Sequence, residues 1–476
     1  MAVHPHIVII GGGFTGTALA IHLGRQGRLA GDVTVIEPRA MLGCGVAYST
    51  RDPAHRINVP ADKMQLSAAE EGDFDRWCRA GDELPRDPEA LWRDGSLYPQ
   101  RGAFGRYIAE RFSETAAASR LNLHHLRDRA ISLQPVPGGA IVTTAGGVRI
   151  HADATVLAIS HPPPALPSQI SKEVGQHPAL IANPWQDNAL AAIGTRDELV
   201  IIGTGLTMAD VAASLQLRGH RGQITAFSRR GLLPRPNVTG DYPSWPVEPP
   251  LAAPETVRRW LRRIRRTVVA AADAGVPWQK VIDDVRANGQ TLWQRLPPVE
   301  QRRFLRHLRP YWDVHRYRIA PQVSALLRQR RDNGTLRVLA ARLDKIAGGE
   351  KDLTLQLALR QGGAERVVAQ KVIISTGPAH GSLINSLPLL RALAGQGLIV
   401  ADPLGLGLWV NADSQAIGSD GLADPRLLVA GPAARGRFGE LIGLPQVAEH
   451  AQALATQLLA LLTSPALDGR CPLCRR

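Results

Sequence analysis

Residues 6–23 read HIVIIGGGFTGTALAIHL, a run of apolar residues, a cluster of glycines and the start of a second apolar run. An apolar run, Ile7 to Ile10, has the character of a buried strand, passes into Gly11, Gly12, Gly13, Phe14, Thr15 and Gly16, and continues as a helical pattern from Thr17. In G-x-G-x-x-G between strand and helix, the first glycine permits a tight turn and the second lets the backbone approach a pyrophosphate. The third lets the helix pack close to the strand, with helix N–H groups facing the phosphates. Gly11, Gly13 and Gly16 are therefore expected to hold a dinucleotide. The next apolar strand, 32–36, ends in Glu37, about 20 residues beyond the last glycine, where a carboxylate accepts from a ribose 2′-OH and repels a 2′-phosphate. An ordinary glycine-rich loop is the plain alternative for the glycines alone; strand, helix and acid together argue against it.

At 476 residues the chain exceeds a single small core, and two or three domains are expected. Hydrophobic residues at 44% and charged ones at 21% are globular values, which excludes a disordered or fibrous chain. The formal charge of +14 comes mostly from arginine, much of it in one segment, so it is a local feature and no nucleic-acid partner is expected. Cys44, Cys78, Cys471 and Cys474 are too few and too scattered for a disulfide framework. With the first strand beginning by residue 6 and no apolar run of membrane-spanning length, a cytoplasmic protein with no membrane partner is expected. The Leu-rich run 451–462 contains Gln452 and Gln457 and reads as an amphipathic terminal helix.

The opening design returns in ELVIIGTGLTMADVAASLQLRG, residues 198–219, where an apolar strand leads into Gly203, Thr204 and Gly205 and then a helix. Met208 holds the third fingerprint position, so helix and strand are expected to sit slightly farther apart. The following strand, 223–227, leads to Ser228, Arg229 and Arg230 where the first unit has Glu37. Guanidinium binds phosphate through two parallel hydrogen bonds, so Gly203, Gly205, Arg229 and Arg230 are expected to hold NADPH. Solvated surface arginines are the alternative. Residues 121–164 and 335–378 then share one grammar: strands, Gly-Gly turns and a terminal apolar strand, closing at Ser160 and at Thr376-Gly377-Pro378. The chain is an internal repeat of two nucleotide units.

Residues 234–322 interrupt the second unit. Within TVRRWLRRIRRTVVAAADAG (256–275), Trp260, Leu261, Ile264, Val268 and Ala272 fall at helical spacing among arginines, which predicts a basic amphipathic helix. QRRFLRHLRPYWDVHRYRIAP (301–321) mixes arginines with Phe304, Tyr311, Trp312 and Tyr317, side chains able to stack planar ligands or bind anions; helical packing with arginine stems along apolar surface is the plainer account. Residues 425–459 supply one more strand, 427–430, a glycine-rich turn from Gly431 to Gly439 and a closing helix, assigned to the first site. Two loops after Glu37, MLGCGVAYST (41–50) and HRINVPADKM (55–64), should lie at strand ends, with Asn58 and Pro60 as candidates to line a cofactor ring. Cys44 has no second cysteine nearby and reads as a small packing residue rather than a redox group.

With both fingerprints, the repeat and the closing strand in place, the chain resembles flavoproteins with two dinucleotide-binding domains, the fold of flavin monooxygenases and pyridine-nucleotide disulfide reductases. Within them it looks like an FAD-NAD(P)-binding subfamily with amino-acid N-hydroxylating relatives. The matching stretches are GGGFTG, GCGVAY, NVPADKM, YPQRGAFGRY (98–107), NPW (183–185), IIGTGLTMAD, SRRGLLPR (228–235), STGP (375–378) and GPAARG (431–436). The resemblance implies an α/β fold of two Rossmann-like dinucleotide-binding domains, the NADPH domain inserted in the FAD domain, with a helical Arg-rich insertion. Residues 1–165 would begin the FAD-binding domain, 195–365 would form the NADP-binding domain with the insertion 234–322, and 366–476 would return to the FAD domain. It further implies Gly11, Gly13, Gly16 and Glu37 on the FAD pyrophosphate and ribose, Gly431 near the ribityl and flavin, and Asn58 as a flavin-lining residue.

The implied activity is that of an FAD-dependent NADPH oxidoreductase, a monooxygenase acting through a flavin peroxide, with no metal. Its substrate would be a small molecule, anionic if the Arg-rich insertion forms part of the site. Three departures point away from oxygenation without touching the cofactors: VLAIS (156–160) in place of an Ala-Thr-Gly ending, Leu444-Pro445-Gln446 in place of Val-Pro-Glu, and His177 eight residues before Trp185 rather than four. The alternative is an NADPH-dependent flavin reductase passing electrons to a partner or disulfide, supported by Cys471-Pro-Leu-Cys474, spaced as a redox dithiol.

Overall fold

The computed structural model describes residues 4–27, 30–159, 161–247 and 256–463. The first unit opens with β1 (His6–Ile10), α1 (Phe14–Arg25) and β2 (Gly31–Ile36) and crosses through α2 (Arg101–Ala118) to β3 (Leu121–Leu126). A small antiparallel sheet of β4 (Ala130–Val136), β5 (Gly139–Thr144) and β6 (Arg149–Ala152) precedes β7 (Ala154–Leu157). The chain then enters the second unit with β8 (Leu180–Ile181), β9 (Leu199–Ile202), α3 (Leu206–Leu217) and β10 (Ile224–Ser228). The arginine-rich insertion forms α4 (Val257–Asp273), α5 (Trp278–Ala287), α6 (Gly289–Arg295), α7 (Pro298–His307) and α8 (Arg309–Arg316). After it, α9 (Pro321–Asp332) returns the chain to β11 (Leu336–Gly348), β12 (Leu353–Leu359), β13 (Ala364–Ala369) and β14 (Lys371–Ile374). Finally β15 (Gln415–Ile417), β16 (Ala423–Val429) and α10 (Gln446–Thr463) rejoin the first unit.

Besides the small antiparallel sheet, the described residues form two large sheets, ordered β15-β16-β7-β1-β2-β3 and β13-β12-β11-β10-β9-β14-β8. In the first, β16 runs parallel to β7 with Leu428 opposite Val156, so the end of the chain completes the sheet begun by its start. In the second, β14 lies between β9 and β8, with Val372 paired to both Val200 and Leu180. The second sheet therefore takes strands from before the expected boundary at 195 and from after that at 366. Membership is fixed by ladder pairing, which the order of segments along the chain does not reveal.

Ile7–Ile10 of β1 and Leu199–Ile202 of β9 are apolar at every position because both faces are covered. Ile7 and Ile9 face a layer with Leu19, Leu23 and Leu454, while Val8 and Ile10 face Val142, Leu390 and Val429. In the second sheet Leu199 and Ile201 pack with Met208 and Val323, and Val200 and Ile202 with Leu355 and Ile374.

In the insertion, the Thr256 side chain accepts from the Arg259 N–H at 3.3 Å and so satisfies a free donor at the start of α4. Trp260, Ile264, Val268 and Ala271 turn inward onto Val281 and Val285 of α5. The apolar face thus closes on Ala271, and Ala272, expected on it, is exposed. Proline in the first turns of α7, α8 and α9 sits where its missing N–H leaves no helical bond unmade. The insertion docks on the returning segment of the first unit: Trp293 Nε1 donates to Gly436 O at 2.9 Å and Arg286 Nη2 to Leu444 O at 2.7 Å. The two crossings between units run side by side, joined by a bridge between Pro164 and Pro378. Among the described residues no helix is long and apolar enough to cross a membrane.

Candidate active site

The same glycine turn is built twice. Gly11 has φ +106°, and a Cβ there would lie 2.7 Å from Ala158 O; Gly203 has φ +119°, and its Cβ would lie 2.3 Å from Ser375 O. The Gly11 N–H donates to Ile36 O at 2.9 Å and the Gly203 N–H to Phe227 O at 2.8 Å, so each turn is anchored on the neighbouring strand. A side chain at Gly16 would meet Gly11 O at 1.9 Å, which sets how closely α1 approaches β1. Met208, in the corresponding place of the second unit, is fully buried in its core.

Helices α1 and α3 begin at Gly13 and Gly205 with neither a side-chain cap nor an acid in the first turn. Both glycines face a single cavity of about 1550 Å³. That volume exceeds the roughly 300–1,000 Å³ of a pocket for one small ligand. A Cβ on Gly205 would find no atom within 4 Å, and one on Gly13 would touch Gly45 Cα at 3.4 Å, so the space before each helix lies open. Uncapped N–H groups, a positive helix end and an open approach fit a pyrophosphate at each place.

The cavity wall includes Glu37, Asn58, Arg229 and Arg230. Glu37 is buried and tied to its own loop: Oε2 accepts from the Gly12 N–H at 2.9 Å, and Oε1 from the Arg39 N–H at 3.1 Å and guanidinium at 2.9 Å. The carboxylate thus shapes the glycine turn as well as facing the cavity. Arg229 is exposed, whereas Arg230 donates to His307 O at 3.3 Å and lies over the Tyr311 ring at 5.2 Å. Asn58 Oδ1 accepts from Arg101 Nη2 at 3.1 Å, and its backbone carbonyl accepts from the Asn237 amide at 2.6 Å.

Other expected residues stand back from the wall. Gly16 and Pro60 do not line the cavity, nor does Gly431, whose neighbour Pro432 does. Gly431, at φ +73°, sits against Thr15, and its N–H donates to His450 Nδ1 at 3.1 Å. His450 Nε2 is 2.8 Å from Ser414 Oγ, and burial holds its pKa down at about 4, so the ring is neutral. Cys44 and Cys78 are both buried; burial raises the Cys44 thiol and pushes that of Cys78 up to about 12. Cys471 and Cys474 lie outside the described residues, as does Ser160. Of the insertion's aromatics, Phe304 meets Trp293 edge to face at 6.0 Å and Trp312 packs on the helical core, while Tyr317 lines the cavity.

Several wall residues were not singled out by the sequence. Arg101 Nη2 pairs with Asp210 Oδ1 at 2.9 Å across the two units, and the guanidinium lies 5.6 Å from the centre of the Trp185 ring. Asp210 Oδ2 is buried with no partner. Behind them His55 packs on Trp185 at 5.4 Å and is held between Thr50 Oγ1 at 2.8 Å and Ser214 Oγ at 3.0 Å. Arg101, Trp185 and Asp210 all belong to matching motifs quoted above, so the motifs marked the positions but not their meeting.

Residues 8–162 match a family model described as FAD-NAD(P)-binding. No curated protein matches the chain. Among solved structures, an ornithine hydroxylase from Pseudomonas aeruginosa is similar with a TM-score of 0.63 at 15% identity, over 97% of this chain and 100% of that one. An FAD-bound cadaverine monooxygenase of desferrioxamine biosynthesis from Erwinia amylovora gives 0.64 at 11% identity, over 96% and 95%. A thioredoxin reductase from Lactococcus lactis gives 0.52 at 9% identity, over 96% and 99%. The chain thus opens with an FAD-NAD(P)-binding domain and has, over nearly its whole length, the α/β fold of flavoproteins with two dinucleotide-binding domains.

Proposed function

We propose that this protein is an FAD-dependent, NADPH-consuming oxidoreductase, a monooxygenase of a small anionic substrate. One observation carries the reading: two glycine turns, one followed by Glu37 and the other by Arg229 and Arg230, open on a single cavity large enough for two nucleotides. In this reading Gly11, Gly13 and Gly16 shape the site of the FAD pyrophosphate, with Glu37 toward its ribose and Gly431 and Asn58 toward the flavin end. Gly203, Gly205, Arg229 and Arg230 take NADPH. The domains follow the sheets, the NADPH unit extending from β8 to β14 within the FAD unit. Flavin, when bound, would accept hydride from the nicotinamide and, once reduced, activate oxygen. The chain's own contribution is to hold the two nucleotides in register through the Arg101–Asp210 pair and to shield the meeting point from water with the insertion. The excess of arginine on the insertion side supports an anionic substrate, and the scattered cysteines support a cytoplasmic setting.

The second reading, a reductase passing electrons to a partner or disulfide, is favoured by the spacing of Cys471 and Cys474. The two described cysteines offer it no internal relay, being buried with raised thiols. The test is to reconstitute the purified protein with FAD, record the visible spectrum, add NADPH without oxygen and then admit oxygen. Failure to take up flavin, or flavin that NADPH does not bleach, would overturn the oxidoreductase reading. Loss of NADPH turnover in Cys471→Ser/Cys474→Ser would favour the reductase.

A further inference from the structure

The insertion and the segment after β16 meet along one wall of the cavity, and that wall carries more positive charge than its acids balance. Glu440 forms an ion pair with Arg316 and lies 3.7 Å from Arg286 Nε. Asp313 lies 3.4 Å from Arg309 Nε and 3.5 Å from Arg316 Nε. Arg435, from the returning segment, has no carboxylate within 4.0 Å among the described residues, and its Nε donates to Leu406 O at 3.0 Å. Among the described residues four guanidiniums therefore share two carboxylates, a formal excess of two positive charges. Asp402 also faces Arg435, but its Oδ2 accepts from the Leu404 and Leu406 N–H groups at 2.9 and 3.0 Å; counting it still leaves one charge unbalanced.

All four line the cavity, and three of them are largely withdrawn from solvent: Arg435 is 4% exposed, Arg316 7% and the Arg286 side chain 15%, whereas the Arg309 side chain is 42% exposed. Burial, followed by the neighbouring Arg309, lowers the Arg435 pKa to about 10, so it stays charged at neutral pH. His380 shares the wall with its Nδ1 buried and without a partner; burial and Arg435 push its pKa down to about 3, leaving a neutral ring. A buried charge left without a counterion costs stability, and a folded chain keeps it where a ligand supplies the missing partner.

We propose that this wall is an oxyanion subsite in which Arg435 and Arg309 grip a carboxylate of the substrate, held from behind by the Arg286, Arg316, Glu440 and Asp313 network. The identification of that ligand as substrate rests on the oxidoreductase reading above; the subsite itself does not. Guanidinium matches the two oxygens of a carboxylate with two parallel donors, and the insertion supplies Arg309 while the flavin-side segment supplies Arg435. The insertion is then the element that selects substrate. A phosphate ester shares this chemistry, and in the reading above NADPH would occupy another part of the same cavity, at Arg230, which lies over the Tyr311 ring of α8 at 5.2 Å.

The test follows thermal unfolding of the apoprotein and the FAD-loaded protein in succinate, in inorganic phosphate and in neutral succinamide, at constant ionic strength set with chloride. A ligand of the folded state raises the midpoint with concentration. Succinate is expected to raise it and succinamide not, and Arg435→Met is expected to weaken the apparent succinate affinity by about tenfold or more. Arg309→Met, at a partly exposed position, carries the same test should Arg435→Met fail to fold. An equal response to succinamide, a succinate response unchanged in these variants, or stabilisation by phosphate alone would overturn the proposal. So would Arg435→Met weakening NADPH binding as much as succinate binding, because the wall would then serve the dinucleotide. A succinate response in a protein that takes up no flavin would remove the oxidoreductase reading and leave the subsite standing; flavin uptake with no succinate response would remove the subsite alone.

Discussion

Arg101 at the first position of α2 and Asp210 within α3 meet at 2.9 Å, one from each nucleotide unit, and both are buried where the units face each other. Removing one partner of a buried pair strands the other and costs on the order of 3–5 kcal/mol. Asp210 is poorly placed to tolerate this, because its Oδ2 already lacks a partner. Arg101→Met is expected to lower stability by that order in urea unfolding. Arg101→Met with Asp210→Leu should recover most of the loss while flavin reduction by NADPH stays slow in stopped-flow absorbance. Normal reduction in the double variant would show that the pair does not set the register of the two units.

The two arginines after β10 are expected to differ. Arg229 is exposed and faces the cavity, whereas Arg230 is committed to His307 O and the Tyr311 ring. Arg229→Ala should raise the KM for NADPH by roughly 10- to 100-fold, the worth of a charged hydrogen bond, and leave that for NADH unchanged. Arg230→Ala should do the same in part and also loosen α7 and α8. Steady-state KM values for both nucleotides decide the matter; an equal loss for NADH would remove the 2′-phosphate reading.

Glycines of the two turns separate folding from binding. Gly16→Ala places a methyl 1.9 Å from Gly11 O and is expected to destabilise the fold or prevent it. Gly205→Ala meets no atom within 4 Å and has an ordinary φ of −89°, so the protein should fold with unchanged stability. Its methyl stands in the approach to the helix end, and NADPH affinity should fall by about tenfold or more. Calorimetry and nucleotide titration of the two variants test this directly.

His450 makes stability depend on pH. Burial holds its folded pKa at about 4 against an ordinary value of 6.5, so the unfolded chain takes the proton first. The stability is complete above about pH 6.5, declines as pH falls toward about 4, and levels off below, a loss of roughly 3 kcal/mol. His450→Gln should flatten that part of the profile relative to the parent. Urea unfolding across the range measures it, and an unchanged difference between parent and variant would refute the assignment.

What the sequence revealed and what it hid divide along the range of the interactions. Both fingerprints, the repeat and the returning strand at Leu427 were legible because strand, glycine turn and helix are contiguous, and each has its own periodicity. Glu37 was legible as an acid at the right distance. Its engagement with the Gly12 N–H spans 25 residues and needed coordinates. Arg101 and Asp210 lie 109 residues apart, and nothing in either motif names the other. That β8 and β14, outside the expected 195–365 span, pair in the second sheet was hidden because β8 is only two residues long and β14 is inserted between β9 and β8. Ala272 was expected on the apolar face of α4, whereas 3.6 residues per turn brings Ala271 inward.

The bridge between Pro164 and Pro378 places the entry and the exit of the second unit side by side. None of the strands between them contributes to the sheet ordered β15-β16-β7-β1-β2-β3. Such a unit is a cassette: its two ends are close enough for it to be cut out, or exchanged for another pyridine-nucleotide module, through a short joint that leaves the first sheet's hydrogen bonds untouched. The insertion, anchored on Gly436 and Leu444, would leave with it, so in the proposed reading exchanging the source of electrons would also exchange one wall of the cavity.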